Sequence, residues 1–285
     1  MLSGESYAAE LGRVVLTSQL YFLFSSDADW ARQNILPLLD WSVDARRADQ
    51  AWHGFLSWGR WSEALLPDLL TLYERTFPRV PNLPQRLRRQ FGKHLATIAV
   101  YGPGNPVEEG WLGGFLSAVE PEDRAGWAFE VGFILSQLEE DAIRDLWGRW
   151  LGEYWSRRNR GIPLPLDPNE VEKMVDWSLQ LAPVFPEAVA QVCEIMPSFV
   201  KYSRRFLPRL AKSDYASRYP EEVAQLLRHL LPRASRPFWH CDHVATMFRQ
   251  LVQSGSVSRP VLNQICNELG TLGCPNSAEL RGLLG

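Results

Sequence analysis

Apolar and polar positions follow a helical period along the chain, and no run of β-branched residues keeps a period of two. The pattern is clearest over 45–77, which predicts two amphipathic helices joined at a Gly59-Arg60 corner. On the first, Ala45, Ala48, Trp52, Phe55 and Leu56 share a face, and Arg46, Arg47, Asp49, Gln50 and His53 lie opposite. On the second, Leu65, Leu66, Leu69, Leu70, Tyr73 and Phe77 form a wider stripe. Trp58 and Trp61 flank the corner, so Trp52, Phe55, Trp58 and Trp61 are the expected structural anchors. A helix pair that cannot bury both faces alone needs further pairs stacked beside it.

The same reading predicts a helix over 5–24 with Leu11, Val15, Leu16, Leu20 and Leu23 inward. A helix over 30–41 should break or kink at Pro37. One opened by Pro121 should bury Ala125, Phe129, Gly132, Phe133 and Ser136. The next should carry Ile143, Trp147, Trp150 and Tyr154 on one side and end at Gly161. Beyond it, Asp167 should cap a helix, and the helices after that should turn Ala188, Val192, Ile195, Met196 and Phe199 inward. Ile162–Pro168 is Pro-rich and extended, which divides the chain into helical halves at 1–161 and 169–285. Helices recur about every 20 residues, in pairs of about 40, as in HEAT-type arrays. The expected fold is therefore all-α, an irregular HEAT-like α-solenoid, with an irregular multi-helix bundle as the alternative.

A hydrophobic content of 46% with 22% charged residues belongs to a folded chain rather than a disordered one. A formal net charge of −3 gives no overall attraction to nucleic acid or to an acidic membrane. Residues 203–260 depart from this balance, with ten Lys or Arg against four acids. No apolar run approaches the roughly 20 residues of a membrane span, and the first residues lack the pattern of a signal peptide. Four scattered cysteines do not make a disulfide scaffold, so a reducing cytoplasm is the expected setting.

Ligand-type side chains are densest at His240-Cys241-Asp242-His243, with Cys266 or Cys274 as potential completers. The spacing lacks the paired short intervals of zinc sites, so no metal is expected. No GlyXaaSerXaaGly elbow or strand-borne Gly-rich phosphate loop is present, so no catalytic residue and no cofactor are assigned. Three basic clusters remain as a candidate interaction surface. They are Arg86, Arg88, Arg89 and Lys93; Arg157, Arg158 and Arg160; and Arg204, Arg205 and Arg209 with Tyr202 and Phe206 interleaved.

The run Ala51-Trp52-His53-Gly54-Phe55-Leu56-Ser57-Trp58-Gly59-Arg60, with the Leu-rich helix after it, resembles an uncharacterised helical domain. That domain occurs in the C-terminal parts of large bacterial sirtuin-like proteins, several linked to defence against phage. The resemblance is clearest over roughly residues 30–80. It implies a sensor or scaffold module for an NAD-consuming effector domain upstream, with a phage protein as trigger. Any NAD hydrolysis would then lie outside this chain. A homo-oligomer fits the same role. The alternatives are a nucleic-acid-binding helical repeat, which the net charge disfavours, and an enzyme without a recognisable motif.

Overall fold

A computed structural model describes residues 4, 6–196, 202, 204–236 and 238–284. All regular structure among them is helical, as the periodicity requires. The multi-helix bundle describes it, since helices of unequal length alternate with short 3-10 segments. The chain divides into two compact units, Met1–Val131 and Gly132–Gly285. The division falls within a helix, and the Pro-rich segment 162–168, the expected boundary, lies inside the second unit.

The first unit holds α1 (Tyr7–Ser18), α2 (Leu20–Ser26), α3 (Ala28–Asn34), α4 (Ala45–Trp58), α5 (Leu66–Thr76), α6 (Gln85–Tyr101), α7 (Trp111–Ala118) and most of α8 (Pro121–Leu135). Local chemistry explains several limits. Asp44 starts α4 by accepting from the backbone N–H groups of Arg46 and Arg47, both at 3.1 Å. Pro37 cannot extend α3, and the chain continues as a 3-10 turn over Leu36–Leu39. The core of this unit is aromatic. Trp52, Tyr73 and Phe91 are fully buried, with ring centroids 5.0–5.7 Å apart, and Trp52 Nε1 donates to the Leu39 carbonyl at 2.9 Å.

Two expected faces are turned. The 5–24 segment is two helices, and α1 buries Ala9, Arg13 and Thr17 while Leu11 and Val15 are exposed. The cause is the close crossing of α1 and α4. A Cβ on Gly54 would run into the Val14 carbonyl oxygen and Thr17 Oγ1, so only small groups fit there. Thr17 Oγ1 donates to the Ala51 carbonyl at 2.8 Å and Arg13 Nε to Gln50 Oε1 at 2.6 Å, which fixes the rotation of α1. On α8, Trp127, Ala128 and Val131 are buried and Phe129 and Phe133 are exposed. Arg124 sets that rotation by donating to the Val119 carbonyl at 2.7 Å.

The second unit holds α9 (Glu140–Leu146), α10 (Gly152–Asn159), α11 (Pro168–Trp177), α12 (Phe185–Glu194), α13 (Phe206–Lys212), α14 (Tyr215–Arg218), α15 (Pro220–Leu230), α16 (Cys241–Ser254), α17 (Arg259–Thr271) and α18 (Ser277–Gly282). A π turn over Trp147–Leu151 joins α9 to α10. Its extra residue rotates the helix that follows. Trp150, Leu151, Tyr154 and Trp155 are all buried as a result, with the Trp155 and Trp177 rings edge-to-face at 5.6 Å. Gly161, at φ +75°, closes α10. There the N–H of Ile162 reaches the Arg157 carbonyl at 3.0 Å and that of Gly161 reaches Arg158 at 2.9 Å. Asp167 caps α11 through the Asn169 N–H at 2.8 Å. Ala188, Val192 and Ile195 are buried as expected, but Met196, past the end of α12, is 62% exposed, and Phe199 lies outside the described residues.

Candidate functional site

The four expected anchors have different surroundings. Trp52 and Phe55 are fully buried, and Trp61 is half-buried with Nε1 3.3 Å from Thr97 Oγ1. Trp58 is 60% exposed, which corrects its assignment as an anchor. It is the last residue of α4.

The basic clusters are also mixed. On α6, Arg86, Arg89 and Lys93 are exposed at a spacing that places them on one face. Arg88 turns from them and lies 3.4 Å from Asp123, whose carboxyl burial pushes up against the opposing pull of Arg88. In the second cluster Arg157 pairs with Glu153 at 2.6 Å and Arg160 is exposed. Arg158 is not a surface residue at all. It is 1% exposed and grips Glu170 with Nε–Oε1 at 2.8 Å and Nη2–Oε2 at 2.9 Å. Its Nη1 donates to the carbonyls of Ile162 and Leu164 at 3.0 and 2.6 Å, holding the Pro-rich segment against the bundle. Burial alone would lower its pKa, but the Glu170 hydrogen bond and the neighbouring Tyr154 and Glu170 charges outweigh that and raise it. In the third cluster Arg204, Arg205 and Arg209 are exposed, while Tyr202 is half-buried and Phe206 buried.

Cys241 and Cys274 are joined as a disulfide, with Cα atoms 5.5 Å apart, and Cys193 and Cys266 are free. The bond occupies two of the three thiols that could have served His240 and His243 as co-ligands, and the third, Cys266, is free and buried on α17. Among the described residues no group of three or more His, Cys, Asp or Glu is arranged to hold a metal. No helix among them is long and apolar enough to cross a membrane.

A cleft in the first unit, about 320 Å³, is lined by Arg32, Leu36, Pro37, Asp40, Asp68, Thr71 and Leu72. Its charges are already paired, with Arg32 3.0 Å from Asp68 and Arg75 2.6 Å from Asp40. The hydroxyl and backbone N–H of Ser42 hold the Asp40 carboxyl below its ordinary pKa, with Arg75 adding to them. Such a carboxylate stays ionised at neutral pH and cannot act as a general acid there.

One partly buried pair does carry a strong proton preference. Tyr73 Oη lies 2.8 Å from His94 Nδ1 at the edge of the aromatic core. Burial raises the phenol pKa, and burial with the Lys93 charge pushes the imidazole down to about 4. The folded state therefore keeps His94 neutral at pH values where the unfolded chain, with an ordinary imidazole near 6.5, has begun to take up a proton. This contribution is complete above about pH 6.5 and is lost as pH falls towards 4, up to roughly 3 kcal/mol for a shift of that size. Urea denaturation of the parent and His94→Gln at stepped pH should show a steeper acid-side loss in the parent. Parallel slopes would mean the imidazole protonates freely in the fold.

One exposed apolar feature is the outer row of α1 and α2. Tyr7, Leu11 and Val15 recur four residues apart and are 74, 44 and 56% exposed, and Phe22 on α2 is 65% exposed. Between Ser6 and Ser26 the only charged residues are Glu10 and Arg13. Arg13 is in the core and Glu10 is half-buried at the flank, so the exposed side chains of the row are themselves uncharged. Sequence reasoning named Leu11 and Val15 but placed them inward. The signal it lacked was Gly54 opposite the small Thr17, which marks a close helix crossing.

The profile of a domain of unknown function, DUF4020, matches residues 105–269, which is 165 of the 285 residues. The chain belongs to the DUF4020 family. No curated protein and no solved structure matches it. The DUF4020 match takes in α7 to most of α17, including the Arg158–Glu170 clamp and Cys241. It begins after the aromatic stretch 51–60 that carries the resemblance to sirtuin-like proteins, and after the α1–α2 row.

Proposed function

We propose that this DUF4020 chain works by binding protein, as an assembly or sensing module for an NAD-consuming, sirtuin-like effector in antiphage defence. The carrying observation is the uncharged apolar row of Tyr7, Leu11, Val15 and Phe22, held outward by the Gly54 crossing rather than left exposed by loose packing. The aromatic stretch 51–60 supports the choice of effector through its resemblance. In this reading the effector domain precedes the helices in the native chain or joins them as a separate protein, and a phage protein is the trigger. The exposed Arg86, Arg89 and Lys93 offer an acidic partner a second point of contact.

The test is nicotinamide release from NAD by a sirtuin-like domain encoded beside or upstream of this chain, with and without the chain. The chain should change the rate or its response to phage lysate, and should release no nicotinamide alone. Identical rates in both arms, or turnover by the chain alone that one point change abolishes, would overturn the proposal.

A further inference from the structure

We infer that the α1–α2 row is a two-fold contact between two copies of this chain. The inference rests on the reading above that this row meets protein, and it names the partner.

The absence of charge selects the occupant. In an isologous contact each group near the symmetry axis faces its own copy, so a charge there would face a like charge. A face built for a different protein gains orientation and specificity from charges matched across it. The side chains of the row carry none: Glu10 is half-buried at its flank, and Arg13, the one cation of α1, is turned into the core onto Gln50. With Tyr7 and Val15 each four residues from Leu11, an axis near Leu11 would let two antiparallel copies of α1 meet. Tyr7 of one copy would then lie beside Val15 of the other, with Phe22 at either end. The small Ala8 and Gly12 leave room for the large side chains of the facing helix. The four exposed side chains of the row offer on the order of 450 Å² per copy, a little under what a specific interface usually buries. The dimer is therefore concentration-dependent.

Sedimentation velocity over a wide concentration range should show the weight-average mass rising from one chain towards two. Leu11→Glu and Leu11→Lys should each weaken self-association roughly 10-fold or more, because like charges then meet at the axis. An equal mixture of the two variants should recover it. Leu11 is 44% exposed, so both should keep the parent's helical circular dichroism and melting temperature. Val15→Lys, at a site 56% exposed, repeats the test if either Leu11 variant misfolds. A parent that stays monomeric throughout, a dimer indifferent to all three substitutions, or a monomer that binds uncharged lipid vesicles through this row would overturn the inference. A monomer that still alters nicotinamide release would overturn self-pairing alone and leave the proposed function in place.

Discussion

Arg158→Ala is expected to destabilise the protein by about 3–5 kcal/mol, the usual result of removing one partner of a buried ion pair. Glu170 is fully buried and bonded to Arg158 through both carboxylate oxygens, so the substitution leaves an ionised group without its counter-charge. The carbonyls of Ile162 and Leu164 lose a donor as well. Urea unfolding should report the loss as a lower midpoint, and residues 162–168 should exchange amide hydrogens faster. Replacing both partners together, Arg158→Met with Glu170→Leu, should recover part of the loss because no isolated charge remains. If Arg158→Ala lost under about 1 kcal/mol, Glu170 would have to be solvated in the folded protein, against its complete burial.

Arg158 also shows what a sequence leaves unsaid. Arg157, Arg158 and Arg160 look alike as neighbours, and each suits a helix C-terminus. They separate only when the chain folds back so that Glu170, twelve residues on, meets one of them. The Cys241–Cys274 bond is hidden in the same way by a separation of 33 residues. By contrast, features decided within one turn of chain were legible: the Asp167 cap, the break at Pro37, the close of α10 at Gly161, and the all-helical class itself. The faces of α1 and α8 were not. Periodicity ranks faces by apolarity, whereas close packing at Gly54 selects small side chains, so α1 turned Thr17 and Arg13 inward. The same substitution of rules exposed the row that carries the proposed function. Its lack of charge was visible in the sequence, but its direction depended on α4.

Trp52→Ala should cost about 3–5 kcal/mol, and Trp58→Ala no more than about 0.5 kcal/mol, although both residues sit on α4 six positions apart. Trp52 has no exposed surface, touches the rings of Phe55, Tyr73 and Phe91, and donates Nε1–H to Leu39. Its removal leaves a cavity among side chains that helices α4, α5 and α6 hold in place, and strands the Leu39 carbonyl without its donor. Trp52→Phe keeps much of the ring volume but loses the donor, and should cost about 1–2 kcal/mol, between the two. Trp58 is 60% exposed at the end of the helix, so truncating it mainly returns solvent to a surface that already had it. Thermal melts of the three variants, followed by far-ultraviolet circular dichroism, should rank them in that order. Equal losses for Trp52→Ala and Trp58→Ala would show that the helix end is packed in solution. That result would place Trp58 in an interface, where the loss should grow with protein concentration.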